Sequence, residues 1–281
     1  MTEPTSQVPL DQATADAFAN SWNNMGTGSA YTEEQVQDWL APVLPGDLAG
    51  STVLELGCGN ASLLVRVGAW KIKHGSGVDL GSSVRTARLN IEKAGLTDVV
   101  TIIQADLTTF RAAVPQDLVY CIGVLQHLKE PHEGWNAVLE NTRPGGRFHC
   151  WVYAHEGNSL VRFIVEPVRK VACRLPWWFS KYVLAASLVF PYFIYANLVA
   201  KLLPVRYADR MPLGSYARWI SKREFAFFRQ VAFDQIVTPQ TVYFRREEIK
   251  EWLADQRVEP GSHYLIMRNG NSWKFGGKRA S

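Results

Sequence analysis

Short apolar runs alternate with longer amphipathic stretches through the first 153 residues of the chain. The runs are rich in Val, Leu and Ile, which is typical of strands that are buried on both faces. The stretches between them have the spacing of helices. We predict strands at 52–56, 76–80, 99–104, 118–122 and 147–153, and helices at 61–73 and 83–94. This alternation predicts a doubly wound, mostly parallel α/β sheet, which binds ligands at the carboxyl ends of its strands.

The pattern changes after residue 153. Residues 160–218 are apolar, aromatic and basic, and we expect five prolines to divide them into short helices that form a cap. Strands predicted at 240–245 and 263–268, with a helix at 246–255, complete a seven-stranded sheet. The predicted organisation is an N-terminal helical flap at 1–45, a core at 46–158, a cap insertion at 159–232 and a C-terminal part of the core at 233–281.

Composition excludes several classes of protein. With 47% hydrophobic and 20% charged residues, the 281-residue chain has the composition of a folded globular protein. Its four cysteines form no C-x-x-C pair, which argues against a disulfide framework and against a metal site. The first nineteen residues lack the basic start and apolar core of a signal peptide, so we expect a cytoplasmic protein.

The positive charge is concentrated in the second half of the chain. Residues 159–246 hold fourteen Lys and Arg against four Asp and Glu, a local charge of +10 within a chain whose net charge is +4. A basic surface of this kind attracts phosphates, nucleic acid or an anionic membrane, although a solvated surface with no such partner has the same composition.

The strongest motif is V-L-E-L-G-C-G-N at residues 53–60, at the end of the first predicted strand. Gly57 and Gly59 allow a tight turn and a close approach of a ligand to the backbone. A dinucleotide-binding fingerprint would continue with a third glycine, but Ser62 and Leu63 follow instead. Together with Glu55, the motif resembles motif I of the class I S-adenosylmethionine-dependent methyltransferases, which have a Rossmann-like fold.

The resemblance extends to later strand ends and covers roughly residues 22–158. It implies that Asp79 binds the ribose hydroxyls of S-adenosylmethionine and that Asp106 lies beside the adenine amino group. The segment I-G-V-L-Q-H-L at 122–128 resembles the part of the family that passes the methionine end of the cofactor. The residues that the resemblance implies for the cofactor are Glu55, Gly57, Cys58, Gly59, Asp79, Leu80, Asp106, Leu107, Ile122 and Gly123.

His127 is the candidate catalytic residue. Many small-molecule members of the family have two successive histidines where this chain has Gln126 and His127. A neutral imidazole near the transferred methyl group could take a proton from the acceptor. The alternative is that His127 orients the turn through a hydrogen bond, and an acceptor with a low pKa would need no base.

Residues 182–200 carry no formal charge and pass the length test for a membrane span, but Pro191 and Asn197 interrupt them. We expect this segment to act as a lid or to dock peripherally on a membrane. Residues expected near the predicted mouth of the site could bind the acceptor: Trp22, Tyr31, Tyr153, His155, Asp234 and Tyr243.

The favoured function is methyl transfer to a small-molecule acceptor that is partly apolar or anionic. Two alternatives stay open: a membrane-embedded acceptor that is lipid-linked or prenylated, and a non-catalytic subunit that only binds the cofactor. A nucleic-acid substrate is disfavoured, because Ile122 and Gly123 stand where base-amino methyltransferases carry an Asp or Asn followed by two prolines. The sequence is compatible with a homodimer.

Overall fold

Seven strands form one sheet in the computed structural model, which describes residues 10–23, 31–172 and 174–281. The strands are β1 (Thr52–Leu56), β2 (His74–Asp79), β3 (Val100–Gln104), β4 (Gln116–Ile122), β5 (Thr142–Tyr153), β6 (Tyr264–Arg268) and β7 (Ser272–Lys278). Their order is β3-β2-β1-β4-β5-β7-β6; β7 runs antiparallel to both β5 and β6, and the other neighbouring strands are parallel. Strand order reverses between β1 and β4, which opens a crevice at the carboxyl ends of these strands.

Helices pack on both faces of this sheet. Those before the cap are α1 (Leu10–Asn23), α2 (Glu33–Leu40), α3 (Ser62–Gly68), α4 (Val84–Lys93) and α5 (Pro131–Asn141). One face buries Trp135 of α5 against Phe148 and Phe275. The other face buries Leu40 of α2 and Val67 of α3. Burying side chains of this size stabilises the fold by about 1.5–3 kcal/mol each.

A group of helices after β5 has an apolar core of its own. It comprises α6 (Ser159–Ala172), α7 (Trp177–Phe179), a π-helical segment (Ser180–Ala185), α8 (Ala186–Leu202), α9 (Val205–Ala208), α10 (Gly214–Ile220) and α11 (Phe225–Val237). Phe228 and Phe233 of α11 are fully buried in that core. α11 crosses the predicted boundary at residue 232. The chain then forms α12 (Arg246–Leu253) before β6 and β7.

α7, the π-helical segment and α8 form one continuous helix, Trp177–Leu202. By length and composition this helix could cross a membrane. Only 22% of its most apolar window is buried within the protein. The prediction that each proline separates two helices was wrong for Pro167 and Pro191, which lie inside α6 and α8. An internal proline costs about 3 kcal/mol, and the apolar packing of both helices against the rest of the cap offsets that cost.

The α/β sheet is confirmed, but one of its predicted strands is wrong. Residues 240–245 form no strand and make a single bridge, between Phe244 and Ala154. This segment instead packs against the chain that follows β4 and against the end of β5, and Tyr243 and Phe244 are buried there. The seventh strand is β7, which was not predicted because it contains two glycines and two lysines, residues that are uncommon in strands.

Replacing Trp135 by Ala should lower the free energy of unfolding by about 3–5 kcal/mol, because Trp135 is fully buried and stacks on Trp252 with a centroid separation of 5.8 Å. Urea unfolding followed by circular dichroism measures this change. Trp178→Ala is the matched control, since Trp178 is 53% exposed and its loss should change stability by about 0.5 kcal/mol or less. Equal effects of the two substitutions would contradict the packing described.

Candidate active site

The turn after β1 brings two glycines against the end of β2. Gly57 and Gly59 have φ values of 80° and 54°, a region that favours glycine. The N–H groups of Gly57 and Cys58 donate to the carbonyl of Val78 at 2.7 and 3.0 Å. The N–H of Gly59 donates to Asp79 Oδ2 at 2.8 Å. The motif at 53–60 therefore folds as a tight turn that is fixed to the neighbouring strand.

Two carboxylates lie beside this turn with capacity for further hydrogen bonds. Asp79 Oδ1 accepts the N–H of Gly81 at 2.8 Å and the hydroxyl of Ser83 at 3.2 Å, and burial raises the pKa of Asp79. Asp106 Oδ1 accepts the N–H and the hydroxyl of Thr108 at 2.8 and 2.7 Å. No described residue donates to Asp106 Oδ2. Because a carboxylate has about four acceptor sites, both groups can bind hydroxyl or amino donors of a ligand.

A cleft of about 120 Å³ collects most of the residues predicted to bind the cofactor. These are Gly57, Gly59, Asp79, Leu80, Asp106, Leu107, Ile122 and Gly123. α1 forms the outer wall of the cleft with Asp11, Thr14, Ala15, Phe18 and Trp22. The Trp22 indole lies against the turn, since a Cβ added to Gly59 would come within 3.1 Å of its Nε1.

The side chains of Glu55 and Cys58 do not line the cleft, contrary to the prediction. Glu55 lies within β1, between β2 and β4, and its Oε2 accepts the hydroxyl of Tyr120 at 3.2 Å. Burial raises the pKa of the Glu55 carboxyl well above its ordinary value. Cys58 is buried among apolar side chains of α3, α4 and β3. Both side chains are packed in the interior beneath the turn, and Cys58 contributes only its backbone to the turn itself.

A second, larger cavity of about 810 Å³ lies between the sheet and the cap helices. Five of the six residues predicted to bind the acceptor line it: Trp22, Tyr31, Tyr153, Asp234 and Tyr243. His155, the sixth, lies outside both cavities. Its N–H donates to the carbonyl of Phe244, and its ring contacts the Arg162 guanidinium. The structure does not bring His155 to the cavity that the other five residues line, and its contact with the acceptor stays a prediction.

His127 lines both cavities. Its Nδ1 lies 3.2 Å from the carbonyl oxygen of Gln240 and 3.1 Å from Thr241 Oγ1. Since the carbonyl can only accept, the proton is assigned to Nδ1, and the lone pair lies on Nε2, to which no described residue donates. Burial lowers the pKa of His127 to about 4, so the imidazole is neutral near pH 7. Gln240 and Thr241 are more than a hundred residues away along the chain, and no local pattern predicted this contact.

Asp234 is held by α1 and by its own helix. Ser21 Oγ donates to Asp234 Oδ1 at 2.9 Å, and Gln230 Nε2 donates to the same oxygen at 2.8 Å. Burial raises the pKa of Asp234 to about 7, so the group exchanges protons near neutrality. Ser21 and Gln230 were not among the predicted site residues. The spacing of four residues between Gln230 and Asp234 on one helix was the available signal for the second of them.

Three cations line the large cavity without an ion-pair partner among the described residues: Lys181, Arg223 and Arg229. They lie against aromatic rings instead. The Arg229 guanidinium is 4.7 Å from the centroid of Tyr182, and the Lys181 ammonium is 5.6 Å from that of Phe233. The rest of the lining is mainly aromatic and aliphatic. The cavity therefore combines apolar walls with positive charge.

Comparisons with known proteins agree with this geometry. The model of the methyltransferase domain family matches residues 54–148. A ubiquinone biosynthesis O-methyltransferase from Paraburkholderia phytofirmans is 31% identical over 136 residues, which is 46% of this chain and 55% of that protein. An uncharacterized Synechococcus protein is 24% identical over 195 residues, 68% of this chain and 42% of its own length. The chain thus matches only about half the length of these curated relatives.

One solved structure extends the likeness beyond the core. The magnesium protoporphyrin IX methyltransferase of Synechocystis, with bound S-adenosylhomocysteine, has a TM-score of 0.55 and 14% identity, and the match covers 93% of this chain and 94% of that one. At this identity the likeness concerns the fold alone. The family match, the strand order and the glycine turn with its two acids lead to one conclusion: residues 54–148 form a methyltransferase domain with the Rossmann-like fold of the class I S-adenosylmethionine-dependent methyltransferases.

Proposed function

We propose that this protein transfers a methyl group from S-adenosylmethionine to an oxygen of a small, largely apolar acceptor held in the large cavity. The observation that carries the proposal is the junction of the two cavities. Both the cleft beside the glycine turn and the large cavity are lined by Phe18, Trp22, Ile122, Gly123 and His127. A donor in one and an acceptor in the other would meet there, and such positioning can lower a barrier by about 7–11 kcal/mol.

The residues in the cleft fit the cofactor. Asp79 has about one acceptor site left, on Oδ2, for a ribose hydroxyl, and Asp106 Oδ2 is available to an adenine amino group. Gly57 and Gly59 lack side chains, so the rest of the molecule can approach their backbone closely once Trp22 is displaced. When bound, S-adenosylmethionine supplies a methyl group that its sulfonium has already activated. The protein then has to hold the two reactants and exclude water.

α1 has to move for the cofactor to bind. The cleft holds about 120 Å³, whereas sites for small molecules usually measure roughly 300–1,000 Å³. The helix is fixed over the cleft by a few polar contacts, among them Asp11 Oδ1 with the N–H of Lys129 at 2.7 Å and Ser21 with Asp234. An outward shift of α1 would widen the cleft and carry Trp22 away from Gly59.

His127 is proposed as the general base. Its protonated Nδ1 donates to Gln240, which fixes the ring and leaves Nε2 to accept a proton from an acceptor hydroxyl. Phe18 packs edge-on against the ring with centroids 4.9 Å apart, and Tyr153 does so at 5.7 Å. These aromatic neighbours keep water from the base and confine the acceptor.

The acceptor proposed from the cavity is a hydrophobic molecule with an anionic or phenolic group. The apolar walls favour the body of such a molecule, and Lys181, Arg223 and Arg229 favour its charge. One relative is named a ubiquinone biosynthesis O-methyltransferase, and ubiquinone is a hydrophobic molecule, which supports this class. The same name supports oxygen as the methylated atom.

We place the enzyme inside the cell. Cys58, Cys121 and Cys150 are buried free thiols, which suits a reducing compartment.

Asp79→Ala should weaken the binding of S-adenosylhomocysteine by about 1–3 kcal/mol, because a buried hydrogen-bond acceptor is lost. Isothermal titration calorimetry measures the affinity. Asp98→Ala, in an exposed turn away from the cleft, is the matched control and should bind normally. Unchanged affinity in a folded Asp79→Ala protein would contradict the assignment, and the absence of binding to the unmodified protein would contradict the proposed function.

His127→Gln should leave the affinity for S-adenosylhomocysteine unchanged and lower the turnover number by about 10²–10⁴-fold with a hydroxyl acceptor. Release of S-adenosylhomocysteine can be assayed against a panel of apolar phenols and carboxylic acids. Because the base must be neutral, the activity due to His127 should persist as the pH falls from 7 and disappear as it approaches 4. Unaltered turnover in His127→Gln would exclude the base role. No release with any acceptor would favour a subunit that only binds the cofactor.

A further inference from the structure

The cap carries most of the large apolar side chains that are exposed in the described chain. Sixteen of the twenty-one such residues lie between positions 160 and 211. They include Phe163 on α6, which is 82% exposed, and Leu202 at the end of α8, which is 70% exposed. Exposed apolar area concentrated in this way marks an interaction surface rather than ordinary scatter.

Between Val183 and Leu198 the exposed large apolar side chains of the long helix follow one face. Val183, Phe190, Ile194 and Leu198 are separated by seven, four and four residues, so they lie along one side of the helix. The opposite side presents Ala185, Val189, Ala196 and Val199, which are buried in the cap core. One side of the helix is thus packed on the protein and the other is left apolar and exposed. We call the exposed apolar side chains of α6 and of this helix the docking face.

The charge around the docking face favours an anionic surface. Residues 159–211 contain eight Lys and Arg and only two Asp and Glu. Exposed cations lie at both ends of the long helix, with Arg174 before it and Lys201 and Arg206 near its end. Trp177, Trp178 and Tyr182 at its start are residues that suit the boundary between lipid headgroups and acyl chains. A second copy of this chain would bring like charge to the same face, which disfavours a dimer there.

The large cavity reaches the docking face. Leu160 and Ile164 of α6 and Tyr182 of the long helix line the cavity and are also exposed. Apolar side chains therefore border a route from the docking face into the cavity. A hydrophobic acceptor could pass along this route without crossing bulk water, where its apolar surface would be unfavourable.

We propose that the docking face binds the surface of an anionic membrane and admits a lipid-soluble acceptor from the bilayer into the large cavity. The long helix lies along the membrane surface, because its other side is already packed on the cap core. The identity of the acceptor rests on the proposed function, whereas membrane binding can be measured without any turnover.

Vesicle flotation of the full chain tests this proposal, with phosphatidylcholine vesicles that contain or lack phosphatidylglycerol. The unmodified protein should float with the anionic vesicles, and less of it should float with neutral vesicles or at high salt. The triple variant Phe163→Ser, Phe190→Ser, Leu198→Ser should bind anionic vesicles about tenfold or more weakly, since three membrane-facing apolar side chains are lost. The matched control is Leu89→Ser, Val114→Ser, two exposed apolar residues outside the cap, which should float normally.

Calorimetry with S-adenosylhomocysteine on the same samples separates this proposal from the previous one. The triple variant should bind S-adenosylhomocysteine as the unmodified protein does, which also verifies its fold. Failure of the unmodified protein to float, or equal flotation of the triple variant, would overturn the docking proposal alone. Resistance of the bound protein to extraction with alkaline carbonate would overturn it in favour of a membrane-spanning helix. If the unmodified protein and the control variant were dimers and the triple variant a monomer, the proposal would be overturned in favour of a second copy on the docking face.

Discussion

The carboxylate of Asp79 ties together the two turns on which the cofactor end of the sheet depends. It accepts the N–H of Gly59 in the turn after β1 and that of Gly81 in the turn after β2. A buried carboxylate without donors would cost several kcal/mol, and hydrogen bonds to a charged group return about 1.5–3 kcal/mol each. The same bonds hold the glycine backbone close to the crevice. One buried acid thus fixes both turns and also lines the cleft.

The cap adds a second cavity beside this crevice. α6, α8, α10 and α11 line the large cavity above the sheet, and α1 forms the outer wall of the cleft. His127 lies where the two spaces meet, and its neighbours come from α1, β5 and the segment after α11. The chemistry proposed for it depends on this convergence, since no single element supplies the base, its orienting carbonyl and the aromatic walls.

Local pattern was sufficient to predict the sheet class, and the family resemblance named most of the residues that line the cleft. Asp79, Asp106 and Gly123 lie at strand ends, and the topology of a doubly wound sheet brings such positions together. Side-chain direction was harder to predict. Glu55 and Cys58 belong to the motif but point away from the cleft, because the neighbouring strands and helices cover them. Contacts between distant segments, such as His127 with Gln240, depend on tertiary packing, and no local sequence pattern predicts them. The strand β7 was missed for a related reason: its polar residues are buried by pairing, as Lys274 is when it donates to the carbonyl of Asp38.

A crystal structure with bound S-adenosylhomocysteine is the decisive measurement. We expect the adenosine to lie between Asp79 and Asp106, α1 to be displaced outward, and the sulfur to face the large cavity beside Gly123 and His127. A sulfur atom turned away from that cavity, or a nucleoside bound elsewhere on the sheet, would contradict this arrangement.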